Sequence, residues 1–247
     1  MISFELTGAR RLLVLGAHCD DVEIGCGGTI AHLLERQPDL EVKWVTFAGT
    51  PERRAETKAA AAALLAGAQF RSVEVHNFDD GFFPWLGHRI KERFEQIARE
   101  FRPDVVFTHR RDDRHQDHRM VAELTWNTFR DQLLLEYEVP KWEGDLGHPN
   151  VYVPLSQRLC RRKVELLMKY YRTQARRDWF TEDLFWGLLR LRGVECRSPS
   201  GFAEAFHGTK LMLAASTIEH RRATQTTEIV RPDLEVTASS SAVMDSR

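Results

Sequence analysis

Leu12-Leu13-Val14-Leu15-Gly16 runs directly into Ala17-His18-Cys19-Asp20-Asp21-Val22-Glu23-Ile24-Gly25-Cys26-Gly27-Gly28-Thr29, and this stretch decides the fold. The apolar run at 12–16 shows no polar alternation, which predicts a strand buried on both faces. A histidine and two adjacent carboxylates follow where that strand ends. The glycines at 25, 27 and 28 predict a tight turn into the next element. Imidazole with carboxylate is a ligand set for a borderline divalent metal. A spare carboxylate beside the ligands suits a general base.

A second cluster, His109-Arg110-Arg111-Asp112-Asp113-Arg114-His115-Gln116-Asp117-His118, follows another apolar run at 104–108. His115 and His118 are three apart, so one helical turn would aim both at one place. Arg110 to Arg114 reads as an ordinary charged loop, a description that fits His115-x-Asp117-His118 poorly.

Between the clusters, strand and helix signals alternate. A helix is predicted at 28–36 from Ile30, Leu33 and Leu34, and a strand at 41–47. Residues 51–66 read as a helix with Pro51 at its start and Gly67 as its stop. A short strand at 72–75 precedes a helix at 87–101, where Ile90, Phe94, Ile97 and Phe101 recur at helical spacing. The strand at 104–108 is followed by a predicted helix at 120–135. This alternation predicts an α/β fold: a Rossmann-like, mostly parallel sheet with helices on both faces, in a single domain. In such a sheet the first and fourth strands are neighbours at the topological switch point, where ligands bind. Both His/Asp clusters then share one crevice. Further on, 151–155 reads as a strand, 156–171 as a helix capped by Ser156, 184–192 as a helix, and 201–206 and 210–215 as loop and strand. The domain is expected to span 1–235, with a disordered tail at 236–247 that has little to bury.

The chain has 247 residues, 43% of them hydrophobic, enough for one sizeable core. A net charge of −1 gives no global field to recruit nucleic acid. The basic runs at 158–163 and 172–177 read as solvated helix faces, or as attraction for a phosphorylated substrate. No run approaches the roughly 20 apolar residues of a membrane span, and residues 1–11 lack a signal-peptide core. Four cysteines without a Cys-x-x-Cys pair give no disulfide framework, so a cytoplasmic location is expected. Self-association is left open.

Gly25-Cys26-Gly27-Gly28 is not the Gly-x-Gly-x-x-Gly fingerprint, so no dinucleotide cofactor is expected. Three functions fit the residue types: a metal-dependent amide hydrolase, a metal-dependent phosphoesterase, and a non-catalytic sugar- or nucleotide-binding domain. Intact Asp20 and His115 argue against the last, because binding alone needs no base.

Both clusters together resemble the PIG-L/LmbE-like family of metal-dependent N-acetyl-sugar deacetylases. Its signature is His-Pro-Asp-Asp, a Gly-x-Gly-Gly segment, and a later His-x-Asp-His. The resemblance extends more weakly through Arg53-Arg54-Ala55-Glu56 and Phe202-Ala203-Glu204-Ala205-Phe206. Cys19 stands where the family usually has proline. The resemblance implies that His18, Asp21 and His118 are metal ligands, with zinc the first choice and ferrous iron another. It implies Asp20 as general base and His115 as the group that stabilises the oxyanion or protonates the leaving amine, with Asp117 orienting His115. Arg53, Arg54, Asp79, Glu204 and His207 are candidates to line the substrate pocket, and Phe82, Phe83 and Trp85 to stack on a sugar ring. The implied substrate is a small amino-sugar conjugate: a glycolipid precursor, nucleotide sugar, thiol glycoside or antibiotic intermediate. Acetate and a free amine are the implied products.

Overall fold

A computed structural model of the protein describes residues 3, 5–6 and 8–211. Seven strands form one sheet: β1 (Arg11–His18), β2 (Glu41–Ala48), β3 (Phe70–Phe78), β4 (Val105–His109), β5 (Leu133–Tyr137), β6 (Val151–Pro154) and β7 (Ala203–Thr209). Their order is β3-β2-β1-β4-β5-β7-β6. The first five strands are parallel, and β7 is antiparallel to both β5 and β6. β1 and β4 are neighbours, with Leu12 opposite Val105 and Val14 opposite Phe107. The switch point therefore falls between the strands that carry the two His/Asp clusters.

The helices are α1 (Asp21–Arg36), α2 (Pro51–Leu64), α3 (Gly87–Glu100), α4 (Gln116–Thr128), α5 (Gln157–Tyr170) and α6 (Glu182–Glu195). The unbroken apolar run of β1 follows from their placement on both faces. Leu12 and Val14 enter one core with α1, α2, α5 and α6, while Leu13 and Leu15 enter the other with Ile90, Phe94, Ile97 and Val121. A strand covered on both sides has no polar face to show. Side-chain caps start α2 at Thr50, α5 at Ser156 and α6 at Thr181.

Three expectations are corrected. The first helix begins at Asp21, not at residue 28, so the glycines lie inside α1 rather than in a turn. They serve close packing: a Cβ on Gly25 would stand 2.2 Å from the Tyr137 ring, and one on Gly28 would stand 2.5 Å from Leu155. Second, the predicted helix at 120–135 ends at Thr128, and Leu133–Tyr137 forms β5. Third, the basic run at 158–163 holds the fold together. Arg158 pairs with Glu35, Arg162 donates to the carbonyls of Ala63 and Leu64 at the end of α2, and Lys163 is buried against Glu204. The last predicted strand begins where β7 has ended, and residues 212–215 with the proposed 236–247 tail and the 235 boundary lie outside the described residues.

Tyr137 is fully buried and its hydroxyl donates to the Leu15 carbonyl, so the ring has nowhere to move. Gly25→Ala is therefore expected to cost about 1–3 kcal/mol or more through overpacking, read as a fall in the urea midpoint at unchanged m. A variant as stable as the parent would show that α1 and β5 separate easily.

Candidate metal centre

β1 ends at His18, and the chain turns sharply before α1. Asp20 makes that turn with φ 107°, a left-handed conformation that aspartate tolerates better than most residues. The Asp20 carbonyl accepts from the Ile24 amide to begin the helix, and the Asp21 carboxylate accepts from the His18 amide at 2.6 Å. From the other side, β4 ends at His109, and α4 opens with His115 as its cap and His118 in its first turn.

His18 Nδ1 lies 3.1 Å from His118 Nε2 and 3.5 Å from an Asp21 carboxylate oxygen. His118 Nε2 lies 3.5 Å from the other Asp21 oxygen. Ligands at about 2.0–2.1 Å from a tetrahedral cation stand about 3.3 Å apart, close to the spacings of this triangle, and three overlapping groups here could hold an ion: His18, His115 and His118; Asp21, His109 and His118; and His18, Asp80 and Asp117. Each imidazole has a carboxylate on its far nitrogen: Asp117 at 3.0 Å from His18 Nε2, and Asp113 at 2.9 Å from His118 Nδ1. Those partners hold the far protons and leave the facing lone pairs free for a cation.

Charge points the same way. Burial pushes His118 down to about 3, so its imidazole is neutral, as a ligand must be. Burial works against a charged His18, but Asp117, Asp21 and Asp80 around it favour positive charge there. A cation would satisfy the same carboxylates. Burial alone would raise Asp21, yet His118, His109 and His18 hold it well below the ordinary carboxylate range.

Asp20 is buried beside the triangle. Burial raises it to about 7, against the opposing pull of Arg53, whose guanidinium lies 3.4 Å from the Asp20 carboxylate. That guanidinium also donates to the Cys19 carbonyl at 2.6 Å and faces Asp80 at 3.5 Å. His115 packs its ring against His18 and His118, with centroids 4.8 and 4.6 Å away. Its Nδ1 accepts from the Asp117 amide, so in the neutral ring Nε2–H is the free donor.

Several sequence expectations change here. The Asp117 carboxylate does not orient His115: it bonds His18 and the amides of Gly81 and Phe83, and only its backbone N–H meets His115. Of the loop Asp79-Asp80-Gly81, expected from topology to face the crevice, Asp80 reaches the cluster, 3.1 Å from His18 Nε2. Glu204 lines an internal cavity with Lys163, Glu138 and Arg192, apart from the His/Asp cluster. It is buried on β7 against Lys163 and the amides of Gly28 and Thr29. His207 sits on β7 opposite Glu136, with burial and Arg110 lowering it to about 4, away from the ligand triangle. Arg54 is half-buried with an unpartnered Nε and makes no contact with the carboxylates. Phe83 belongs to the core, whereas Phe82 and Trp85 are exposed with ring centroids 5.9 Å apart. Cys19 turns its thiol to the Ala48 carbonyl, and burial pushes it up to about 11.

Sequence reasoning gave Asp113 and His109 no role. His109 is fully buried and stacks on His118 at 3.9 Å; its Nε2 is crowded by the Ala17 amide, Asp21 and Tyr137. With Asp21 and His118 it forms one of the groups that could hold an ion. The buried apolar strand before it was the one available signal.

Two carboxyls ionise with difficulty here: Asp20, raised to about 7, and Glu23, which burial raises to about 8 against the hydrogen bond from Tyr171. A carboxyl raised in the folded state binds its proton more tightly there than when unfolded. Stability then falls as pH rises toward the folded value. His118, lowered to about 3, acts only below its unfolded value near 6.5. The metal-free protein is therefore expected to lose on the order of 1–2 kcal/mol between pH 6.5 and 8. Thermal unfolding after chelation measures it; a melting temperature that rises across this window would contradict the burial of these carboxyls.

Residues 13–129 match the family model described as PIG-L: GlcNAc-PI de-N-acetylase. The Escherichia coli K12 protein named Uncharacterized deacetylase YaiS is 26% identical over 172 residues, covering 65% of this chain and 90% of that protein. Among solved structures, N,N'-diacetylchitobiose deacetylase from Pyrococcus horikoshii superposes with a TM-score of 0.60 at 20% identity, over 83% of this chain and 87% of that one. GalB, the 4-carboxy-2-hydroxymuconate hydratase from Pseudomonas putida KT2440, superposes with a TM-score of 0.63 at 16% identity, over 85% and 100%. At such identities the likeness shows the fold alone. Over residues 13–129 the chain is thus similar to the PIG-L family, and over a longer stretch it is similar to a protein named as a deacetylase.

Proposed function

We propose that this protein is a zinc-dependent N-deacetylase that releases acetate from an amino-sugar-containing small molecule. The observation that carries the reading is the triangle of His18 Nδ1, His118 Nε2 and Asp21 with Asp20 at its side. A divalent cation held there supplies Lewis acidity to the amide carbonyl and to water. The chain's own residues do the rest. Asp20 accepts the proton of the attacking water, in an environment that brings its affinity for that proton close to neutral pH. Arg53 holds Asp20 in place and limits its burial penalty. His115 presents Nε2–H to the oxygen that gains negative charge, a donor typically worth about 3 kcal/mol. The proton that Asp20 takes from the water then passes to the leaving amine, which restores the Asp20 carboxylate and leaves His115 with its single N–H. Asp80, partly exposed beside His18 and Arg53, faces the place where the sugar hydroxyls would sit.

One other reading is distinct. A two-metal phosphoesterase would need His18 to bridge ions through both nitrogens, using Asp80 and Asp117 on the far side. The hydratase neighbour shows that this fold alone does not choose the reaction. The deciding experiment is a screen of N-acetylglucosamine derivatives for acetate release, with and without chelator, alongside a metal count. Acetate released with one ion per chain and abolished by chelation supports the proposal. Two ions per chain with phosphate-ester cleavage, or no acetate from any derivative, overturns it.

A further inference from the structure

The segment after β5 carries Lys141 and Asp145, which sequence reading left unassigned. Lys141 Nζ lies 3.0 Å from the Asp113 carboxylate and 3.0 Å from that of Asp145. The three side chains are 7%, 5% and 6% exposed, so this is a desolvated contact rather than a solvent-screened surface bridge. Asp113 in turn accepts from the His115 amide at 2.8 Å and bonds His118 Nδ1 at 2.9 Å. Asp145 accepts from the Arg114 amide at 2.7 Å. One ammonium thus ties the loop that delivers His115 and His118 to a segment about 30 positions further along the chain.

We propose that Lys141 is a positioning residue for the metal centre, acting through Asp113 on His118. The His115 amide holds one Asp113 oxygen and His118 Nδ1 meets the other; the ammonium, 3.0 Å from the same carboxylate, is the cation that keeps it seated against His118 Nδ1 rather than drawn to solvent. That orients Nε2 toward His18 and Asp21. Without Lys141, Asp113 and Asp145 would stand together with no cation between them, and Asp113 would turn away from His118. The inference rests on the reading of His118 as a ligand.

Lys141→Met alone would leave two buried carboxylates unbalanced and risk misfolding. The informative pair is Asp145→Asn against Lys141→Met/Asp145→Asn. The double variant keeps the cluster's net charge at the wild-type value while removing the ammonium. Zinc affinity is measured by competition with a chromophoric chelator, and cobalt-substituted protein is examined by its visible absorption. Asp145→Asn is expected to bind zinc within about threefold of wild type. The double variant is expected to bind about 10–100-fold more weakly, the usual cost of losing a partner behind a ligand. Its cobalt spectrum should change as the His118 ring shifts. A merely structural role would move both variants equally, so equal affinities overturn the proposal. Failure of the double variant to fold with or without zinc also overturns it, since Lys141 would then serve the fold and not the site. Wild-type protein that binds no metal sinks the ligand reading itself, a result separable from either.

Discussion

Replacing Asp20 by asparagine is expected to leave one metal ion bound and to lower kcat by about a hundred- to ten-thousand-fold, the contribution typical of a positioned base. Asparagine keeps the shape of the side chain and, like aspartate, tolerates the left-handed backbone at this position. The β1–α1 turn should therefore survive. Asp20 touches the ligand set only through charge, and Arg53 still has the Cys19 carbonyl to bond. KM should change little, because the interaction lost belongs to the transition state. Steady-state kinetics with metal analysis of the same sample tests this. Full turnover in Asp20→Asn would remove Asp20 as base; loss of metal would make it a ligand.

His118→Ala carries the second large effect. It deletes one corner of the triangle and leaves Asp113 without its imidazole partner. Affinity for zinc should fall further than the roughly 10–100-fold expected for an outer partner, and acetate release should fall to background. Metal content of the purified variant is the measurement. One zinc per chain would refute the ligand role, whatever the activity. Because His109 stacks on His118 at 3.9 Å, the variant also opens a buried face, and its melting temperature should be followed alongside.

Much of the framework was legible in the sequence because β1 and β4 are continuous apolar runs, and continuous runs belong to strands covered on both faces. That alone put residues 18–21 and 109–118 at one switch point. What misled was local ambiguity. Leu133-Leu134-Leu135 continues the apolar content of α4, and no glycine or proline lies between them to mark the break at Thr128. Gly25, Gly27 and Gly28 carry the residue type of a turn, but Gly25 and Gly28 are demanded by Tyr137 and Leu155, residues more than a hundred positions away. In the site, the family resemblance implied His18, Asp21 and His118 as ligands, and these three side chains do come together. Which carboxylate stands behind which imidazole was not legible, because Asp113 and Asp117 are each two residues from His115, yet Asp117 bonds His18 and Asp113 bonds His118. Only the three-dimensional turn at Gly81 brings Asp117 under His18.

One consequence concerns synthesis. Lys163 donates to the carbonyl of Ile24, and Glu204, its ion-pair partner, accepts from the amides of Gly28 and Thr29. α1, which positions Asp21, is thus braced by side chains translated some 140 and 180 residues later. A nascent chain still on the ribosome would hold every ligand before it held the brace, so the centre matures only after β7 has emerged, and stalled or clipped products would carry the motif without the grip.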